Sequence, residues 1–219
     1  MFSLEPNMTA PTDRTRLRRA HERGAYDADS LHKVLDATCM CTVAYVIDAK
    51  PYATPTLHWR EGDHVYWHGS SASRMLKTCA GAEVCLTVSI LDGFVMARSG
   101  FHHSVNYRAA MLFGQAFTVP DDEKEAKLDA FVNGLWPGRM EGLRPNNAQE
   151  LKGTTVLGMK IGEASAKMRS GGPVDDDEDY ALPIWAGVIP VEMRVLPPVP
   201  DERNLPGVEM PGHVRDFSI

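Results

Sequence analysis

Between Cys39 and His68 the chain reverses direction at Asp48-Ala49-Lys50-Pro51 and again at Glu61-Gly62-Asp63. Turns this short can join only antiparallel neighbours, because a parallel pair needs a crossover of about a dozen residues or more. The runs around them have strand character: Cys39 to Ile47, Tyr52 to Trp59 and His64 to His68. Pro55 within the second run demands an edge or a bulge. Farther on, Glu83 to Leu91 is predicted to turn at Leu91-Asp92-Gly93 into a hairpin partner, Phe94 to Phe101. Tyr107 to Val119 reads as a long strand with Gly114 as a bulge, Thr154 to Ile161 as another, and Trp185 to Leu196 as a last strand interrupted by Pro190. Helices are expected at Leu31 to Ala37, Ala72 to Ala80, Asp121 to Leu135 and Asn147 to Lys152. The third of these carries acidic residues in its first turn and Leu128, Phe131, Val132 and Leu135 on one stripe. This is not the βαβ alternation of a doubly wound sheet, and no G-x-G-x-x-G or Walker loop is present. The pattern predicts a mainly β fold, a mostly antiparallel barrel with peripheral helices. It divides into an N-terminal arm (1–28, loose over 1–12 and a charged helix or irregular arm from Thr15 to Tyr26), a barrel domain (29–196) and a proline-rich C-terminal tail (197–219).

The charge balance narrows the function. A net charge of −6 over 219 residues argues against nucleic acid as a partner. Arg14, Arg16, Arg18, Arg19 and Arg23 are followed closely by Glu22, Asp27 and Asp29, the pattern of a solvated face. No signal peptide is visible, and no apolar run approaches the roughly 18 residues of a membrane helix. Cys39, Cys41, Cys79 and Cys85 form no disulfide framework and no zinc-knuckle spacing. Cys41 and Cys85 lie in β-branched runs as core thiols, so a reducing, cytoplasmic setting is expected.

One stretch carries chemistry: Trp67-His68-Gly69-Ser70-Ser71-Ala72-Ser73-Arg74-Met75-Leu76. It reads as a strand end, a tight turn and a helix start. Backbone N–H groups, serine hydroxyls and an arginine fork at such a corner suit a phosphate. The simpler alternative is that Ser70 or Ser71 merely caps the helix. Of the eight histidines, His58, His64, His68, His102 and His103 crowd one span. His64 and His68 share a strand face but lie about 13 Å apart at about 3.3 Å per residue, and adjacent His102 and His103 point oppositely, so no metal site is predicted. A haem iron needs only one axial histidine, which keeps haem open as an alternative.

These features together resemble a known family, the flavin-binding split barrels related to pyridoxamine 5′-phosphate oxidase, and within it the branch of the nitroimidazole-resistance proteins. The resemblance covers about residues 31–169. It rests on Pro55-Thr56-Leu57-His58, on Tyr66-Trp67-His68-Gly69-Ser70 followed by Ser73-Arg74, on Phe101-His102-His103-Ser104-Val105-Asn106-Tyr107-Arg108, and on Ala164-Ser165-Ala166-Lys167-Met168-Arg169. In the oxidase, an arginine and a lysine on the strand before the corner hold the phosphate. Here that strand reads Thr54-Pro55-Thr56-Leu57-His58-Trp59, and Met75 stands where the oxidase has a lysine, which argues against pyridoxamine phosphate oxidation.

The resemblance implies an FMN-binding homodimer with each flavin held between subunits, and an oxidoreductase acting on a small molecule such as a nitro compound, with NAD(P)H as a candidate donor. Some relatives of this fold bind haem, and a flavin- or haem-binding protein without turnover is the alternative. Ser70, Ser73 and Arg74 are expected to clamp the phosphate, with Lys167 or Arg169 assisting. Thr56, Leu57, His58, Trp67, His68, Gly69, Met75 and Asn106 complete the expected cofactor contacts, and His68 is the candidate catalytic proton donor. Trp59, Trp67 and Trp185 are candidate walls for the ring, although a tryptophan taken alone is more often core than cofactor wall. Tyr107 and Arg108 have two readings: packing and an acidic partner, or the flavin. Lys167 and Arg169 either join the site or answer the acidic run 175–179.

Overall fold

The alternating runs become one continuous sheet in the computed structural model, which describes residues 11–218. Residues 1–10 of the expected loose arm lie outside the described residues. The strands are β1 (Gly24–Ala25), β2 (Met40–Ile47), β3 (Lys50–Glu61), β4 (His64–Ser70), β5 (Glu83–Met96), β6 (Ser104–Gln115), β7 (Phe117–Thr118), β8 (Thr154–Lys160), β9 (Glu163–Arg169) and β10 (Gly187–Pro190). They pair antiparallel in the order β1-β9-β6-β5-β2-β3-β4-β8-β7, with β10 against β5.

Two places bend this sheet into a split barrel. Residues 50–57 of β3 pair with β2, whereas His58 to Glu61 pair with β4. Likewise β6 pairs with β5 and β9, but two residues later β7 pairs with β8. Pro55 sits in the half of β3 bonded on one side only, which meets the edge requirement of a residue without an N–H. Inside, Val43, Val65, Trp67, Leu86, Leu112, Leu157 and Met159 are fully buried. Helix α1 (Ala28–Asp36) closes the barrel with Leu31, Val34 and Leu35, and α2 (Arg74–Cys79) with Met75, Leu76 and Cys79. Asp27 caps α1 by accepting from the Ser30 N–H at 2.8 Å.

Helix α3 (Asp121–Leu135) lies on the outside. Its predicted stripe, Leu128, Phe131, Val132 and Leu135, packs on Trp59, Tyr66 and Val156. The short α4 (Ala148–Gly153) begins with a capping box between Asn147 and Glu150, and α5 (Gly212–Arg215) lies in the tail.

Several expectations need correcting. Leu91-Asp92-Gly93 is no hairpin turn: β5 runs through it, and the register with β6 skips Asp92. The extra residue is a bulge, and the Asp92 carboxylate is engaged by Arg108. Gly93 is required because a Cβ there would come within 2.9 Å of the Ile189 carbonyl on β10. Gly114 is in register with Val84, so it is not a bulge. It makes room for Met159, 3.0 Å from where a Cβ would lie. The strand breaks instead at Ala116, whose N–H donates to Ala82 and whose carbonyl accepts from Gly81. The polar segment after Ser165 begins inside a strand, β9, whose inward Ala164 and Ala166 are too small to have signalled it. From the N-terminal arm, Gly24 and Ala25 pair with β9, and among the described residues the only helical element before them is a short 3-10 turn, His21–Arg23. The last strand is limited to Gly187–Pro190. The four cysteines are free thiols. Cys41 is buried, and burial pushes its thiol up to about 12, whereas Cys85 is only half-buried.

Candidate functional site

The corner forms where β4 ends. Gly69 lets α2 fold back onto the strand, since a Cβ would lie 3.2 Å from Leu76. Ser71 N–H donates to the Gly153 carbonyl and Ser73 N–H to the Ser70 carbonyl, both at 2.8 Å. The Ser70 hydroxyl accepts from Ala72 N–H at 3.2 Å, and Ser73 caps α2 by accepting from Leu76 N–H at 3.5 Å. The cap is therefore Ser73 and not Ser70 or Ser71, and the N–H groups of Arg74 and Met75 have no partner among the described residues. Arg74 is exposed and makes no ion pair among the described residues, and its guanidinium lies over the Tyr52 ring at 5.0 Å. A fixed, unneutralised guanidinium beside open N–H groups is suited to an anion. Met75 itself points into the core.

The residues of β4 separate by alternation. Trp67 points inward and is completely buried, its Nε1 without a partner. His68 points outward, under α3. Its ring lies 4.8 Å from Phe131 and 5.9 Å from Trp59. Nδ1 is enclosed without a hydrogen-bond partner. Burial moves the His68 imidazole below its usual pKa, favouring the neutral ring. Trp59 is held by Nε1 donating to Glu61 at 2.8 Å, and Glu61 also accepts from Lys127 at 2.7 Å. Phe131 was legible only as part of the α3 stripe; nothing in the sequence tied it to His68.

Apart from Leu57, the other expected contacts lie away from this face. His58 is buried in the core, bonded through Nε2 to the Leu35 carbonyl at 3.1 Å. Thr56 pairs across β2 with Cys41 and is half-buried, and Leu57 packs beside Trp59 and Phe131. Asn106, Tyr107, Arg108, Lys167 and Arg169 meet on the paired strands β6 and β9. Arg169 donates to Asn106 Oδ1 and to the carbonyls of Gly171 and Gly172, while Asn106 Nδ2 donates to Gly171 at 3.1 Å. Arg108 grips Asp92 through Nε and Nη2, and this pairing raises its pKa. The acidic run answers neither Lys167 nor Arg169. Asp175, its side chain fully buried, accepts from the Arg98 N–H and Nη1 at 2.9 Å, and Asp176 accepts from His102. Trp185 is 70% exposed, its ring against Gly187. Among the described residues no three His, Cys, Asp or Glu side chains gather for a metal, and no helix is long and apolar enough to cross a membrane.

Comparison with known proteins adds what geometry alone lacks. The pyridoxamine 5′-phosphate oxidase family profile matches residues 27–168. The chain belongs to that family. The flavocytochrome Anf3 from Azotobacter vinelandii superposes with a TM-score of 0.92 and is 49% identical, covering 96% of this chain and 99% of that one. An FAD- and haem-binding protein from Mycobacterium smegmatis gives a TM-score of 0.87 at 37% identity, covering 90% and 97%. A candidate 5-nitroimidazole antibiotic resistance protein from Bacteroides thetaiotaomicron gives 0.55 at 17% identity, covering 66% and 85%, a likeness of fold alone. No curated protein sequence matches significantly. The family's split barrel is the fold described above. In this chain the corner presents an arginine and free N–H groups suited to a phosphate, and the outer face holds the His68 imidazole between aromatic rings.

Proposed function

We propose that the chain is a flavin- and haem-binding redox protein acting on a small molecule. The observation that carries this is the likeness, over nearly the whole of both chains, to a flavocytochrome and to an FAD- and haem-binding protein. The Mycobacterium smegmatis relative favours FAD over the FMN expected from the sequence, with the same pyrophosphate or phosphate chemistry at the corner. Arg74, the N–H groups of Arg74 and Met75, and Ser70 hold the anion. A bound flavin supplies hydride and one-electron chemistry, and the protein's part is placement and electrostatics. The aromatic outer face of β4 excludes water beside it.

The working unit in this reading is a homodimer that shares its flavin sites. Leu182, Ile184, Trp185, Met193, Leu196 and Val199 are all exposed in one chain. So much apolar surface on one segment calls for a cover, and a second copy related by a two-fold axis supplies it with the same residues.

Purification of the full chain tests both parts. Flavin and Soret absorption in stoichiometric amounts, bleached by NAD(P)H, is the expected result, and acid extraction with chromatography separates FAD from FMN. A colourless protein that takes up neither cofactor would sink the reading. Arg74→Ala should lose one charge-assisted phosphate contact, about 1.5–3 kcal/mol, or roughly ten- to a hundred-fold in flavin affinity. Unchanged affinity removes Arg74 from the clamp. Sedimentation over a range of concentrations, with and without flavin, should show the dimer weakening as flavin is removed.

A further inference from the structure

Two stretches of opposite charge are fastened to the barrel and left without counter-ions. The first is the N-terminal arm. Arg14 bonds Glu163 and Glu83, with its guanidinium 4.3 Å from the Phe113 ring centre. Thr15 is buried, and the Leu17 N–H donates to the Tyr26 hydroxyl at 2.9 Å. A Cβ on Gly24 would lie 2.6 Å from Leu17 Cδ1, so the arm lies tight against β1. Arg16, Arg18 and Arg19 are exposed on it and make no ion pair among the described residues. The acids that follow in sequence are used elsewhere: Asp27 caps α1 and Glu22 pairs with Arg23. The second stretch is the acidic run. Asp175 is anchored to Arg98, the Tyr180 ring lies 4.8 Å from the same guanidinium, and the Tyr180 hydroxyl accepts from the Asp175 N–H at 3.3 Å. Between these anchors the 3-10 turn Asp177–Ala181 leaves Asp177 and Glu178 exposed, with no ion pair among the described residues, while Asp176 meets His102.

We propose that the basic arm of one protomer docks on the acidic turn of a second copy of this chain, Arg16, Arg18 and Arg19 facing Asp177 and Glu178. This rests on the homodimer of the proposed function. The turn runs directly into Leu182, Ile184 and Trp185, exposed apolar residues that the second copy covers in that reading. An interface has an apolar centre and a polar rim, which places Asp177 and Glu178 at the rim beside that centre. A rim of one sign needs the other sign opposite it. The arm is the stretch that supplies it: among the described residues no other four in a row carry three cations without ion pairs. Two-fold symmetry makes the contact twice, since each chain brings one arm and one turn. Both patches are already fastened in the single chain, so little freedom is lost when they meet. The same acidic turn and the net charge of −6 would repel a nucleic acid or another acidic protein from this surface.

The test uses the full chain as purified and two charge reversals. One variant carries Arg16→Glu, Arg18→Glu and Arg19→Glu together, the other Asp177→Lys and Glu178→Lys. Sedimentation over a range of concentrations reads the dissociation constant of each. In either variant alone both junctions become repulsive, and the dimer should weaken about tenfold or more. The acidic-turn variant has a net charge closer to zero than the wild type, so its weakening cannot come from general repulsion. Mixing the two variants in equal amounts should restore wild-type affinity, because each junction of the mixed dimer again joins opposite signs. That rescue also shows that both variants are folded, and it would not occur if arm and turn met within one chain. Added salt should weaken the wild-type dimer by screening these exposed charges. Variants that dimerise as tightly as the wild type, or a mixture no tighter than either variant alone, overturn the arm-to-turn contact while leaving the homodimer standing. A wild-type chain that stays monomeric at every concentration overturns both together.

Discussion

Val65 and Trp67 of β4 point into the barrel, and their neighbours Tyr66 and His68 point out beneath α3. The inner pair has no exposure at all and belongs to the large core that also holds Leu86, Leu112 and Leu157. The outer pair belongs to a smaller cluster with Trp59, Val156 and Phe131. Strand geometry makes the division: successive side chains take opposite faces, so four residues in a row build both a core and a candidate site. The inner face is made of groups that need only packing, apart from Trp67 Nε1. The outer face mixes rings with Glu61, Lys127 and His68, groups whose hydrogen bonding is set one by one. Stability and binding therefore separate across one strand.

The largest test of that separation is truncation on each side. Trp67→Ala removes a fully buried side chain from the main core and should cost about 3–5 kcal/mol, read as a lowered denaturation midpoint. Phe131→Ala removes a ring from the smaller cluster, where α3 is free to settle, and should fall toward the low end of that range. Its cofactor content should fall farther than its stability explains. If cofactor loss simply tracks stability in both variants, the two faces do not differ in role.

The same division decides what was legible from sequence. Helix α3 and its stripe were readable because period and length agreed, and the antiparallel sheet because the turns were too short for anything else. Asp92 was not: an Asp-Gly pair reads as a turn, and only the register of β5 against β6, set by contacts far apart in sequence, makes it a bulge. At the site, the Ser/Arg corner was visible as a local motif. The ring contacts of His68 with Phe131 were not, because they join residues of β4 and α3 that no local pattern connects. The anchoring of Asp175 by Arg98 was hidden for the same reason, inside what reads as a solvated acidic run.

A smaller effect is expected from filling the outer face. A Cβ on Gly158 would lie 2.5 Å from Phe117 Cζ and 2.8 Å from Tyr66 Cε1. Gly158→Ala should cost about 1–3 kcal/mol through forced movement of these rings. Because Tyr66 stacks on Trp59 at 5.6 Å, the disturbance should reach the surroundings of His68 and alter cofactor spectra. An unchanged spectrum would mean that the outer rings adjust independently.

The two histidines of this half-barrel sharpen the contrast through pH. Burial holds His58 below its usual pKa, against the raising influence of the Leu35 carbonyl. Between its folded and unfolded pKa values the folded chain binds fewer protons than the unfolded one. Its contribution to stability is therefore complete above the unfolded value of about 6.5 and is lost as pH falls below it. His58→Gln retains an N–H for Leu35 and removes the titration, so denaturation midpoints measured from pH 7.5 down to about 5 should decline less steeply than in the wild type. An equally steep decline would move the acid sensitivity elsewhere.

The smallest expected effect concerns Arg108, on β6 and paired on both sides, with β5 and with β9. Its guanidinium holds Asp92 through two nitrogens, and its side chain is 40% exposed. A lysine keeps the charge but not the forked geometry. Exposed pairs of this kind contribute about 0.2–1 kcal/mol, so Arg108→Lys should shift the denaturation midpoint only slightly. Flavin affinity should stay unchanged, because the group is already committed to Asp92 and the free cation at the corner is Arg74. A tenfold loss of flavin affinity, about 1.4 kcal/mol, would show instead that an anion competes with Asp92 for Arg108. The binding surface would then extend from the end of β4 to the bulge of β5.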